Sequence, residues 1–211
     1  MKGIIFDLDG VICSTDKYHY LAWKRLADSL GIYFDEKIND RLRGVSRMES
    51  LNIVLEKADR AFNSEEKALL AEKKNTDYRE LLAKMSLDDL SVEVAGTLLK
   101  LRLMGYKLAI GSSSKNAKLI LGRIGLGDFF DEVADGTDIK RSKPDPEVFL
   151  CAAKKLGLLP SDCLVVEDAN SGIEAATLGG FKCAGIGKAA EDERTTYPLT
   201  RFSDLLTILG E

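Results

Sequence analysis

With 211 residues and a formal net charge of −4, the chain is long enough to bury a substantial core, as one domain or as one domain carrying a smaller insertion. It has no Lys/Arg-rich stripe of the kind a nucleic-acid backbone demands, and no apolar run approaches the ~18 residues of a membrane span. Four scattered cysteines (Cys13, Cys151, Cys163, Cys183) without a CxxC pair and an N-terminus without a signal-peptide pattern predict reduced thiols in a cytoplasmic protein; the single histidine, His19, excludes mechanisms that need several imidazoles.

The first predicted element is the apolar run "GIIFDL" at residues 3–8, a buried strand that ends on Asp7 and Asp9. Two carboxylates held that close repel, and a fold tolerates them when a cation lies between them or one stays protonated. From residue 16 to residue 84 only helical patterns follow. The stretch "HYLAWKRLADSLG" sets His19, Trp23, Leu26, Ala27 and Leu30 on one face, with Gly31 as its C-cap. "SRMESLNIVLEKA" opens with Ser46 and Glu49 at capping-box spacing and carries the stripe Leu51, Val54, Leu55 and Ala58. Ser64 is the expected cap of a third, long helix that ends near Met85. Three more apolar runs, "KLAIGS", "CLVVED" and "KCAGIG", alternate with helical patterns in the βαβ rhythm. The predicted fold is α/β: a doubly wound, Rossmann-like parallel-sheet core from residues 1–15 and 85–211, with residues 16–84 inserted as a small all-helical cap domain. "EDERTTYPLTRF", near the C-terminus, is the least readable stretch.

Ligands of open α/β sheets bind beyond the carboxyl ends of the strands. Here the first strand ends in Asp7 and Asp9, the second in Ser112, Ser113, Ser114, Lys115 and Asn116, and the third in Glu167 and Asp168. "SKPDP" adds Lys143 just ahead of a helix that Pro146 can start. Carboxylates with open positions suit Mg²⁺, while hydroxyls, a lysine and a helix N-terminus suit phosphate; together they specify phosphoryl transfer. Each piece alone is common on protein surfaces, and their order at successive strand ends carries the reading.

"FDLDGV", Ser112, the Lys143 of "SKPDP" and "VVED" resemble the four motifs of the haloacid dehalogenase superfamily, in order and across the whole chain. The helical insertion resembles that superfamily's smaller cap type. In closer detail, "YHYLAWKRLADSLGI", "RGVSRMESL" and "SSSKNAKLIL" resemble its β-phosphoglucomutase family. The resemblance implies that Asp7 attacks phosphorus to form an aspartyl phosphate and that Asp9 is the general acid and base. It implies that Ser112 and Lys143 hold the transferring phosphoryl oxygens. Mg²⁺ would sit on Asp7, the Asp9 main-chain carbonyl and Asp168, with Glu167 alongside. The implied reaction interconverts β-D-glucose 1-phosphate and glucose 6-phosphate through glucose 1,6-bisphosphate, in a monomer. Arg47, with Ser114, Lys115 and Asn116, would grip the phosphate that is not being transferred; Gly44, Ser50 and Trp23 would complete the substrate set; and His19, Thr15 and Lys74 would form a gating contact. Without Mg²⁺ and Lys143, repulsion between an attacking carboxylate and a phosphate would block their approach.

Plainer readings stand beside several of these. Arg47 occupies the first position after the Ser46 cap, where the helix dipole disfavours a cation by about 0.3–1 kcal/mol unless an anion arrives, and a solvated arginine is the alternative. His19 on an apolar helix face reads first as a core histidine. Lys74, on the Leu70/Tyr78 side of its helix, is either a snorkelling stem or functional. Trp23 and Tyr78 read as cap core before sugar platforms, and Cys13 has no base partner and no assigned chemistry. Arg43 stands where the family usually has lysine, and its planar fork is not an ammonium. The alternative activity is a sugar-phosphate phosphatase. A non-catalytic phosphosugar-binding protein would need neither Asp7, Asp9 nor Lys143, and a dehalogenase would leave Asp9 and the metal ligands without a task.

Overall fold

The computed structural model describes residues 1–42 and 45–210. Two compact units emerge, Met1–Ser14 with Met85–Glu211, and Thr15–Lys84. The chain opens with β1 (Gly3–Phe6), buried along its full length.

The Thr15–Lys84 unit is helical: α1 (Asp16–Ser29), α2 (Glu36–Asp40), α3 (Arg47–Val54) and α4 (Ser64–Leu82). The apolar stripe of α1 (Trp23, Leu26, Ala27) packs with Leu51, Val54 and Ala71 into one buried cluster, which is why the 3.6-residue period was visible. One helix start differs from the sequence reading. The cap of α4 is Asn63, not Ser64. Asn63 Oδ1 accepts from the Glu66 N–H at 2.9 Å and the Glu66 carboxylate accepts from the Asn63 N–H at 2.9 Å; only a cap three residues before Glu66 closes both bonds. Ser46 accepts from the Glu49 N–H at 3.2 Å, so α3 has its cap bond without the reciprocal one. The short α2, capped by Asp35, had no sequence signal.

The larger unit continues with α5 (Val92–Leu103), β2 (Lys107–Gly111), α6 (Ala117–Arg123), β3 (Glu132–Ala134), α7 (Glu147–Leu156) and β4 (Cys163–Glu167). It closes with α8 (Asn170–Leu178), β5 (Lys182–Ile186), β6 (Tyr197–Leu199) and α9 (Leu205–Gly210). The six strands form one sheet in the order β3-β2-β1-β4-β5-β6, and every pairing is parallel. This is the doubly wound, Rossmann-like α/β architecture expected. The two edge strands, β3 and β6, were not predicted, being three residues each and, in β6, carrying Pro198.

One sheet face buries Ile5, Val165, Phe149 and Ile173 in a common core. On β1 the neighbouring side chain, Phe6, packs against Phe130 and Phe202 at centroid distances of 6.1 and 5.7 Å. Chain order reverses at β1, which has β2 on one side and β4 on the other. Open sheets leave their ligand crevice at such a reversal. Register pairs Phe6 with Ile110 and with Val166, so the next residue, Asp7, comes level with Gly111 and Glu167.

Candidate active site

Asp7 continues the ladder one step past β1, its N–H donating to the Val166 carbonyl at 2.9 Å. The chain then turns tightly, with the Ile12 N–H on the Leu8 carbonyl and the Gly10 N–H on the Cys13 carbonyl. Gly10 is required here twice over. Its φ is +84°, and a Cβ would fall 2.1 Å from Asp168 Oδ2, so the Asp168 carboxylate lies directly against this turn. Asp9 sits in the same turn, bridged to Cys13.

Lys143 is delivered by the loop between β3 and α7. Glu147 anchors that loop, its Oε2 accepting from the N–H groups of Lys140 and Arg141 at 3.1 and 2.9 Å. Pro146 does not open α7 but immediately precedes it, and the cap bond comes from Asp145 Oδ1, which accepts from the Glu147 N–H at 3.0 Å. The Lys143 ammonium then donates to Asp7 Oδ1 at 2.5 Å and to Glu167 Oε1 at 2.6 Å, with its side chain only 8% exposed. Burial works against its charge, but Asp7 and Glu167 together hold its pKa above the ordinary lysine value.

Glu167 is the structural surprise. Its Oε1 takes Lys143, and its Oε2 accepts from the N–H groups of Asp168 and Ala169 at 2.8 Å each. With both oxygens engaged it holds the lysine and the loop. Beside it, burial first and then the Asp7 and Glu167 charges raise the Asp168 pKa; burial raises Asp7 as well, opposed by Lys143. Asp7 and Glu167 thus contact the ammonium, Asp168 lies within reach of its charge, and Asp9 acts on Asp7 and Asp168.

The hydroxyl cluster is ordered by its own backbone. Ser112 Oγ accepts from the Ser114 N–H at 3.1 Å and Ser114 Oγ from the Asn116 N–H at 3.2 Å, which leaves each hydroxyl its proton to donate. Ser112 and Asn116 are buried and Lys115 is exposed. Cys13, close to Asp7 and Asp9, is held firmly as a thiol by burial and then by those charges, which agrees with its having no nucleophilic role.

In the helical unit the structure brings His19, Trp23, Lys74, Tyr78 and Thr15 together. Lys74 is buried, which rules out snorkelling. Its ammonium lies over the Trp23 and Tyr78 rings at 4.7 and 4.4 Å and 2.9 Å from His19 Nδ1. Burial, then the Lys74 and Arg47 cations, hold the His19 pKa well below its ordinary value. Since Lys74 can only donate, neutral His19 carries its proton on Nε2. The His19 ring stacks on Tyr78 at 4.1 Å, and the Tyr78 hydroxyl donates to Thr15 Oγ1 at 3.0 Å. Arg47 is the first residue of α3, with a long 4.0 Å contact to Glu72; Ser50 is buried in the same helix. Gly44 and Arg43 lie outside the described residues. A surface cavity of about 290 Å³ near Asn52, Arg60, Phe62 and Lys67 contains none of the expected site residues.

The haloacid dehalogenase-like hydrolase profile matches residues 1–180. The chain belongs to the haloacid dehalogenase-like hydrolase family. Among individual proteins it is similar to the β-phosphoglucomutase of Bacillus subtilis (strain 168), at 42% identity over 100% of this chain and 95% of that protein. It is also similar to a phosphorylated carbohydrates phosphatase of Thermotoga maritima, at 30% identity over 100% and 99% of the two chains. Among solved structures, the β-phosphoglucomutase of Clostridium difficile superposes with a TM-score of 0.89 at 38% identity, covering 97% of this chain and 93% of that one.

This haloacid dehalogenase-like hydrolase is therefore an enzyme, and its family implies a divalent metal cofactor. The donor set fits one. Asp7 and Asp168 offer hard carboxylate oxygens, and burial first, with the neighbouring carboxylates adding to it, raises the pKa of both, so that a cation would relieve the cost of keeping them charged. Among the described residues no three His, Cys, Asp or Glu side chains form a metal-holding group. A cation here would draw on two carboxylates and fill its shell with a main-chain carbonyl, water and phosphate, which is the habit of Mg²⁺. No helix among the described residues is long and apolar enough to cross a membrane.

Proposed function

We propose that the enzyme is a Mg²⁺-dependent β-phosphoglucomutase that interconverts β-D-glucose 1-phosphate and glucose 6-phosphate. The observation that carries the chemistry is the buried Lys143, joined to Asp7 and Glu167 at the sheet's reversal point. Whole-chain similarity to β-phosphoglucomutases supports the choice of reaction.

In this reading Asp7 attacks the phosphorus of a bound sugar phosphate, forming an aspartyl phosphate as the P–O bond to the leaving oxygen breaks. Asp9 gives that oxygen its proton and later takes one from the incoming hydroxyl. Lys143 shifts part of its hold from Asp7 to the phosphoryl oxygens, and the Ser112 hydroxyl donates its free proton to them. Asp7, Asp168 and the Asp9 carbonyl, with Glu167 alongside, would hold Mg²⁺, which would supply charge neutralisation for the carboxylate–phosphate encounter. A mutase must also hold a second phosphate, and we assign that task to Arg47, at the N-terminal turn of α3, with Ser114, Lys115 and Asn116. His19, Thr15 and Lys74 hold the conformation of the helical unit in which Arg47 is presented. The free cysteines accord with a cytoplasmic protein whose thiols stay reduced, and we take the enzyme to act as a monomer.

The Thermotoga maritima relative keeps a second reading in view, a sugar-phosphate phosphatase in which water takes the phosphoryl group from Asp7. Incubation with Mg²⁺, β-glucose 1-phosphate and a trace of glucose 1,6-bisphosphate separates the two. Glucose 6-phosphate as the main product supports the mutase; stoichiometric free phosphate makes the enzyme a phosphatase. Arg47→Ala should lose most isomerisation while still accepting phosphate from acetyl phosphate, and isomerisation near the wild-type rate would remove the second-phosphate role.

A further inference from the structure

Lys143 has a third neighbour that its sequence motif does not include. The Phe149 ring, on the first turn of α7, lies with its centroid 4.5 Å from the ammonium nitrogen. Phe149 is fully buried and is fixed from two further sides. A Cβ on Gly111, the last residue of β2, would stand 2.7 Å from Phe149 Cδ1, so the ring occupies the space that a larger residue would fill. Phe181 meets it edge-on at 6.2 Å and 68°. The ammonium therefore sits between an aromatic face and the two carboxylate oxygens of Asp7 and Glu167, with its side chain 8% exposed.

We propose that Phe149 is a positioning residue for Lys143, its π face holding the ammonium so that the N–H groups point to Asp7 and to the phosphoryl oxygens. Three physical points support this. A cation over an aromatic face is attracted by the ring quadrupole, most strongly where water is excluded. The ring offers no lone-pair acceptor to compete with phosphate for the N–H donors. Finally, the reacting lysine has to let go of Asp7 in part as the phosphoryl group transfers, and a neutral attractive surface keeps it in place while its anionic partners change. Phe149 itself touches no reacting atom. The proposal rests on Lys143 acting on the transferring phosphate, as argued above.

The test replaces Phe149 with mono-, di- and trifluorophenylalanine, which drain the π face stepwise while nearly keeping its shape. Phe149→Leu is a fourth variant beside the wild type, and the fluorinated series stays informative if that variant folds poorly. Labelling of Asp7 by acetyl phosphate in Mg²⁺ is measured for each, together with its Tm. The expected result is a stepwise fall in labelling rate, with KM for acetyl phosphate little changed and Tm not following the fluorine count. The whole loss should amount to about two- to thirty-fold, the rate equivalent of one cation–π contact. A flat series, or rates that simply follow Tm, would overturn the proposal while wild-type labelling leaves the phosphoryl-transfer reading standing. Wild-type protein that takes no label would instead overturn that reading, and this one with it.

Discussion

Deleting the charge on Lys143 is the sharpest single perturbation of this enzyme. Lys143→Met keeps most of the apolar stem and removes the ammonium that serves Asp7 and Glu167 at 2.5 and 2.6 Å. The carboxylates it leaves are 10% and 2% exposed at the side chain, so water cannot take its place. Removing one partner from a buried pair costs about 3–5 kcal/mol, because the other charge stays behind uncompensated. Two carboxylates stranded together, with Asp168 adjacent, push toward the upper figure. A proton bound by Asp7, whose pKa burial already raises, pulls toward the lower one. For a chain of this length that range corresponds to a fall in Tm of about 6–20 °C. Calorimetry of both proteins in chelator at mildly alkaline pH reads the loss, and added Mg²⁺ should return part of it by supplying the missing positive charge. Labelling by acetyl phosphate should fall at least about 10²-fold, as when a single oxyanion donor is removed. A Tm within about 2 °C of wild type, with labelling at the wild-type rate, would refute the electrostatic account of this cluster.

Asp9→Asn should lower turnover by about 10²–10⁴-fold while leaving the main-chain carbonyl and Tm largely intact; unchanged turnover removes Asp9 from proton transfer. Ser113 Oγ is buried and meets no hydrogen-bond partner among the described residues, so Ser113→Ala should raise stability by about 1 kcal/mol in urea unfolding, and a clear loss would show that the hydroxyl is satisfied. Arg194 hydrogen bonds lower the Asp192 pKa from 3.8 to about 2, so the contribution of this pair is present above the unfolded value and is lost as pH falls toward the folded one. The Tm difference between wild type and Asp192→Asn should therefore shrink between about pH 4 and pH 2, and a gap that widens on acidification contradicts the pairing.

Much of the protein was legible in the chain because its decisive signals are local. Four central strands are continuous apolar runs of Ile, Val, Leu and Ala, buried on both faces, and such runs need no partner to be recognised. Asp7, Asp9, Lys143, Glu167 and Asp168 were legible because each follows a strand or precedes a helix, where an open α/β sheet has to present its polar groups. The apolar period of α1 marked the face on which Trp23, Leu26 and Ala27 are buried. What the chain did not reveal depends on distance in space. The edge strands β3 and β6 are three residues each, too short to show a period, and exist because β2 and β5 offer them a ladder. Asn63 outranks Ser64 as a cap by one residue of register, which only the closing of two hydrogen bonds decides. The same holds at the site. The sequence alone determined which residues bear the charge. That Glu167 holds Lys143, and that Phe149 lies beneath its ammonium, was decided by the tertiary structure, because strand register brings Asp7 level with Glu167 and α7 turns one aromatic face toward a cation six residues earlier in the chain.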